Sequence, residues 1–199
     1  MRGCPLSGGS FCCANINIRG HVRMSQNFSK IEVGPAIVEY GTGLTAVKFE
    51  TTIGGVVFTT ETTYREQKTD QTGETIVGKR VTGRNVSVTV PFGEYDLPTI
   101  PKIMAGAEVV TGAGGSKVVV KTGVGLNLID TAKQAVIKPL AKLTDPDFWI
   151  TIPLAYSETD LSYSFNNENE RITNVTLRST PDEDGVIAIL GDETITATP

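Results

Sequence analysis

Arg84-Asn85-Val86-Ser87-Val88-Thr89-Val90 alternates polar and apolar residues without a break. In an extended chain, successive side chains point to opposite faces. Val86, Val88 and Val90 therefore share one face, and Asn85, Ser87 and Thr89 share the other. This is the pattern of a strand with one face buried. Just upstream, Thr82-Gly83 punctuates, and residues 74–81 read as a further strand. Asp70-Gln71-Thr72-Gly73 is a turn signal, with a glycine available for positive φ. Residues 62–67 form the other, polar side of that turn, so residues 62–81 are expected to make a long antiparallel ribbon. Gly54-Gly55 separates strands at residues 46–51 and 56–61.

Downstream, residues 94–104 give the one convincing helix. Leu97, Ile100, Ile103 and Met104 fall on one side, Asp96 stands where a cap belongs, and Pro98 and Pro101 keep it short. Gly112 to Ser116 reads as a loop before a strand at 117–122. A helical turn is expected at 130–133, then strands at 135–140, 148–154, 161–165, 172–177, 185–190 and 193–197. In the 148–154 strand, Phe148, Ile150, Ile152 and Leu154 are expected to face the core.

Composition agrees. Thr, Val and Ile make up 62 of the 199 residues, and 21 Gly and 10 Pro punctuate them. β-Branched side chains lose χ1 freedom in helices and fit the pleat of a strand. The fold class is mostly β: a β-sandwich or barrel with one short flanking α-helix and a long protruding β-ribbon. A chain of this length supports one domain of ordinary size without disulfide or metal staples. No apolar run approaches the ~18 residues that a membrane helix needs.

Charge is distributed unevenly. Residues 1–23 hold three arginines, no acid, all three cysteines (Cys4, Cys12, Cys13) and the single histidine, His21. Glycine, serine and proline interrupt any apolar run there, so the stretch does not read as a signal peptide. The composition changes at Met24. Residues 1–23 are accordingly expected to be a flexible N-terminal extension, either an arm or an upstream addition to a domain spanning 24–199. That domain holds 15 bases and 22 acids. An acidic body without a basic cluster is a poor holder of nucleic acid.

Each candidate catalytic motif reads better as structure. The glycines before Lys117 lack P-loop spacing, and Lys117 leads into Val118-Val119-Val120, which is strand chemistry. Asp182-Glu183-Asp184-Gly185 lacks the later bidentate acid of a calcium loop and reads as a solvated turn. Glu158 and Asp160 are a candidate carboxylate pair, but acids at i, i+2 are usually neighbours on a solvent face. Trp149 is a candidate sugar platform, which leaves a carbohydrate-binding β-sandwich module as the alternative function. Beyond residue 23 there is no His or Cys, so the body has no Ser-His or Cys-His nucleophile. No catalytic residue, metal site or cofactor is expected.

Three segments carry a resemblance. Residues 33–74 have an early Gly-Pro, a Gly-Gly before a strand, and an Asp-Gln-x-Gly turn at a ribbon tip. Residues 81–109 have a Thr-Gly-Arg turn, an alternating strand, an acid, a short helix and a Gly-Ala ending. The third is the order of GLNLIDTAKQAVIKPLA and FWITIPLAYSETDLSYSFNNENERITNVTLRSTPDEDGVIAILGD. In this order the chain resembles the tail tube (major tail) proteins of long-tailed bacteriophages, related to the inner-tube proteins of contractile injection systems.

The resemblance implies a virion structural protein, assembled in the host cytoplasm, whose hexameric rings stack into a channel for the genome. Implied partners are further copies of the chain and other tail proteins such as tape measure, terminator and baseplate. DNA would be non-specific cargo, and no membrane is involved. Arg65, Gln67, Lys68, Asp70, Gln71, Glu74, Lys79 and Arg80 on the ribbon would contact the next ring. Residues 145–199 hold 11 acids and two bases. Of these acids, Glu168, Glu170, Asp182, Glu183 and Asp184 are candidates for the lumen or the ring interface.

Overall fold

The computed structural model describes residues 34–43, 46–94, 96–163 and 170–196. The expectation for residues 1–23 lies outside them. In chain order the elements are β1 (Ala36–Tyr40), β2 (Val47–Phe49), β3 (Val57–Gln67), β4 (Gly78–Phe92), α1 (Ile100–Ile103), β5 (Ala107–Gly112), β6 (Gly115–Val120), β7 (Lys133–Pro139), β8 (Ile150–Ser157), β9 (Thr173–Ser179) and β10 (Ile189–Leu190). The protein is mostly β with a single short α-helix among the described residues.

One antiparallel sheet runs in the order β2-β1-β7-β8-β9-β4-β3, with β10 pairing the start of β8. The sheet curls until its ends meet. Past β2, Thr52 bridges Phe92 at the end of β4, and two backbone hydrogen bonds flank the bridge: Ile53 N–H to Pro91 O and Gly93 N–H to Thr51 O, each 3.0 Å. Gly54 and Gly55 then adopt φ of +102° and +87°. Only glycine takes such angles without strain. They re-aim the chain so that β3 pairs the same edge of β4 that Thr52 used. The result is a closed barrel, with β3 and the first part of β4 running on beyond it as the ribbon.

The barrel interior is filled by alternate residues of each strand. Val86, Val88, Val90 and Phe92 come from β4, Val38 and Tyr40 from β1, Val47 and Phe49 from β2, and Val175 and Leu177 from β9. Phe49 and Phe92 meet edge to face, their ring centroids 5.1 Å apart, at the closure.

The expected register of β8 holds only in part. Ile152 is fully buried and Ile150 packs against the core, but Phe148 is exposed and Ala155, not Leu154, faces inward. The cause is a β-bulge. Lys133 and Ala135 of β7 stand opposite Ala155 and Ile152, so β8 carries one extra residue. Pro153 sits in that bulge, where its missing N–H does least harm. The helix is also shorter than expected, at Ile100–Ile103. Asp96 does not cap it; instead Asp96 accepts from Thr99 Oγ1 at 2.9 Å in the turn before it. Pro98 and Pro101 confine the helical backbone. Of the last expected strands, only Ile189–Leu190 forms among the described residues, and 161–163 is irregular. β5 was not expected as a strand, because Glu108-Val109-Val110-Thr111 does not alternate. It pairs with β6 as a separate hairpin whose Gly112 faces Gly115.

Glu39 ties three strands together. Its carboxylate takes Lys138 of β7 at 2.7 Å and Lys48 of β2 at 3.2 Å. Lys138 also lies over the Trp149 ring, 4.4 Å from its centroid. The hydrogen bond from Lys138 is the main cause that lowers the Glu39 pKa below 4.5, and burial opposes it in part. A carboxylate lowered in the folded state adds stability above its ordinary value and loses it as pH falls through the lower, folded value. Glu39→Gln is expected to destabilise the fold by about 1–2 kcal/mol at pH 7. The gap to the native chain should close as pH drops below 4.5. Denaturant titration at pH 7 and near pH 3 checks both limbs, and equal stability of the two chains at pH 7 would refute the stitch.

Candidate functional site

The ribbon is paired to its tip. The ladder from Val57↔Thr89 runs out to Gln67↔Gly78, and β9 supports β4 only over Ser87–Phe92. The outer part therefore stands as two strands alone. A bulge between Thr63 and Tyr64 accommodates Thr82, so Thr82-Gly83 kinks one continuous strand instead of separating two. Thr63 Oγ1 donates to Gly83 O at 3.1 Å across the kink. At the tip, Thr72 N–H donates to Thr69 O at 3.1 Å and Gly73 turns with φ +60°.

Every ribbon residue expected at an interface is exposed. Arg65 and Gln67 lie on β3, Lys79 and Arg80 on β4, and Lys68, Asp70, Gln71 and Glu74 in the tip. Glu66 faces Lys79, with the ion pair at 3.7 Å, and Lys79 also lies over the Tyr64 ring. Arg65 stands directly opposite Arg80. Composition gave no sign of the apolar groups that accompany them: Tyr64, Ile76, Val77 and Val81 are each about half exposed, from 49% to 57%.

The topology sets a second surface at the other end of the barrel. β4 runs from the ribbon to Phe92 and on into α1, so α1 lies at the pole opposite the ribbon. The end of β1, the start of β7 and the end of β8 reach the same pole. Ser157 Oγ donates there to Ile103 O, and Thr159 Oγ1, 2.6 Å away, accepts from Thr176 N–H. These buried hydroxyls fix α1 to β8 and β9. A groove of about 410 Å³ opens beside them, lined by Met104, Ala105, Leu128, Glu158, Thr159 and Asp160. It adjoins a pocket of about 220 Å³ that Lys102 and Lys133 line. Sequence reading did not find this groove, because Met104 was assigned to the helix core and nothing in the sequence couples residue 104 to residue 160.

The candidate acids do not gather at one place. Glu168 lies outside the described residues. Glu170 is exposed before β9, at the α1 pole. Asp182, Glu183 and Asp184 follow β9, whose end lies at the ribbon pole. The Asp182 carboxylate is occupied by its own turn, accepting from Asp184 N–H at 3.0 Å and Val186 N–H at 2.7 Å. Glu158 pairs with Arg178 at 2.6 Å, and Asp160 is exposed. Trp149 donates its indole N–H to Lys142 O at 3.1 Å and has Lys138 over its ring, so that face is not an open sugar platform. Among the described residues, no three His, Cys, Asp or Glu side chains cluster as metal ligands, and no helix is long and apolar enough to cross a membrane.

No protein-family model matches this chain. No curated protein matches it. Among solved structures, a chain from the virion of a native gene transfer agent particle is similar to it, with a TM-score of 0.43 and 9% identity, over 76% of this chain and 96% of that chain.

Proposed function

We propose that this chain is a structural protein of a virion, a non-enzymatic subunit whose hexameric rings stack into a tail tube for the genome. The observation that carries this reading is the ribbon. It runs well past its last support by β9, buries little of its own apolar surface, and points away from the surface around α1. An exposed two-stranded element of this kind is marginal by itself and gains most from a partner. A protrusion at one pole and a recess at the other define a head-to-tail contact, which repeats along an axis. The ordered resemblance to tail tube proteins supports the same reading. So does the acidic body, on which DNA phosphates would slide without binding. Of the candidate acids, Glu170, Glu183 and Asp184 are the exposed ones available for that role. Native mass spectrometry of the full chain tests the ring: six-subunit species are expected, and monomer at every concentration would overturn it.

A further inference from the structure

We propose that the pocket beside α1 is a binding site for an organic carboxylate, held by the hydroxyl of Tyr40 and the ammonium groups of Lys133 and Lys102. This inference goes beyond the structural role above and does not depend on it.

Tyr40 ends β1 with its side chain in the barrel core, where it is 2% exposed. Phe49 and Phe92 fill comparable interior places without a hydroxyl. A buried tyrosine hydroxyl ordinarily finds a hydrogen-bond partner, because leaving it without one costs free energy. The Tyr40 hydroxyl has no such partner among the described residues. It is not sealed in either, since Ser179 Oγ is the one unpartnered side-chain atom shut off from solvent there. Tyr40 lines the pocket of about 220 Å³, and its hydroxyl opens on that space. Burial raises its pKa above the ordinary 10.0, so the oxygen keeps its proton at neutral pH and can donate.

The rest of the lining selects what would accept. Lys133 Nζ lies 5.7 Å from the centroid of the Tyr40 ring, and Lys102 of α1 lines the same pocket. Neither lysine forms an ion pair with a described carboxylate. No acidic side chain lines the pocket. The other hydroxyls there are committed, Ser157 to Ile103 O and Thr131 to Leu128 O at 2.7 Å. The free polar side-chain groups are therefore one O–H and two ammoniums, all donors. Donors without an acceptor call for an anion. Pro101, Ile103 and Ala105 make the remaining wall apolar. Phosphate would set an oxygen against that wall and leave it without a bond. A carboxylate turns two oxygens to the donors and a carbon stem to the wall, which avoids the cost.

Calorimetric titration of the full-length protein with sodium glutarate tests the site. Two charge-assisted bonds and one neutral bond are together enough for saturable binding with Kd of about 1 mM or tighter. Glutaramide, the neutral diamide of the same length, should give none. Tyr40→Phe keeps the ring in the core and should weaken binding about fivefold, the equivalent of one hydrogen bond. Lys133→Gln should weaken it about tenfold, and Lys133→Arg less. Thermal melting of each variant reads whether it is folded. A blocked tripeptide with a central glutamate distinguishes the source of the carboxylate. Tighter binding of the tripeptide assigns the pocket to an acidic side chain of a partner protein, and tighter binding of glutarate assigns it to a small solute.

Absence of binding by both carboxylates up to about 20 mM would overturn the site. So would glutarate binding of native strength in folded Tyr40→Phe and Lys133→Gln, which would place the carboxylate elsewhere. Inorganic phosphate binding more tightly than either carboxylate would overturn the ligand class.

Discussion

Phe49→Ala is expected to destabilise the fold by about 3–5 kcal/mol, the usual cost of truncating a fully buried phenylalanine. Phe49 is 0% exposed and meets Phe92 edge to face. An aromatic pair of this geometry is worth about 0.5–1.5 kcal/mol beyond its buried area. The position makes the loss larger than a hole elsewhere in the core. Phe49 ends β2 and Phe92 ends β4, and the bridge that closes the barrel forms immediately beside them. Chemical denaturation of the variant measures the effect. A change below about 1 kcal/mol would mean that the barrel does not depend on this aromatic pair, and that the β2 edge and β4 are held together by other contacts.

Deleting residues 68–74 should leave stability within about 0.5 kcal/mol of the native chain and stop assembly. The tip has no residue in the core cluster, and its hydrogen bonds are local. Surface changes away from the core usually have effects of that size. Thr75-Ile76-Val77 would still connect Gln67 to Gly78. The deletion removes Lys68, Asp70, Gln71 and Glu74 together, leaving the barrel and the groove in place. Melting curves and sedimentation on the same preparation read the two effects separately. A folded deletion variant that assembles like the native chain would remove the ribbon tip from any contact between copies.

The fold was legible where one face of a strand is buried and the other wet. Val86, Val88 and Val90 alternate because β4 packs on the core along one face, and Ile152 and Val175 follow the same rule. Legibility failed where geometry departs from a period of two. The bulge at Pro153 moves the inward position from Leu154 to Ala155, and alternation alone cannot register an inserted residue. β5 was missed for a different reason. Its hairpin packs little on either face, so Val109 and Val110 are both exposed and no pattern marks them. The ribbon was legible from its turn chemistry, since Asp70-Gln71-Thr72-Gly73 supplies a left-handed glycine between polar strands. The groove that faces away from it was not. It is built from residues 104, 128 and 158–160, which only the closure of the barrel brings together.

Electron microscopy of the concentrated full-length protein in 0.1 M salt tests the central claim most directly. Six-fold rings with an open channel are expected, stacking into tubes with one ribbon per subunit crossing each ring boundary. A monodisperse monomer at all concentrations, particularly one that binds glycans, would contradict the account.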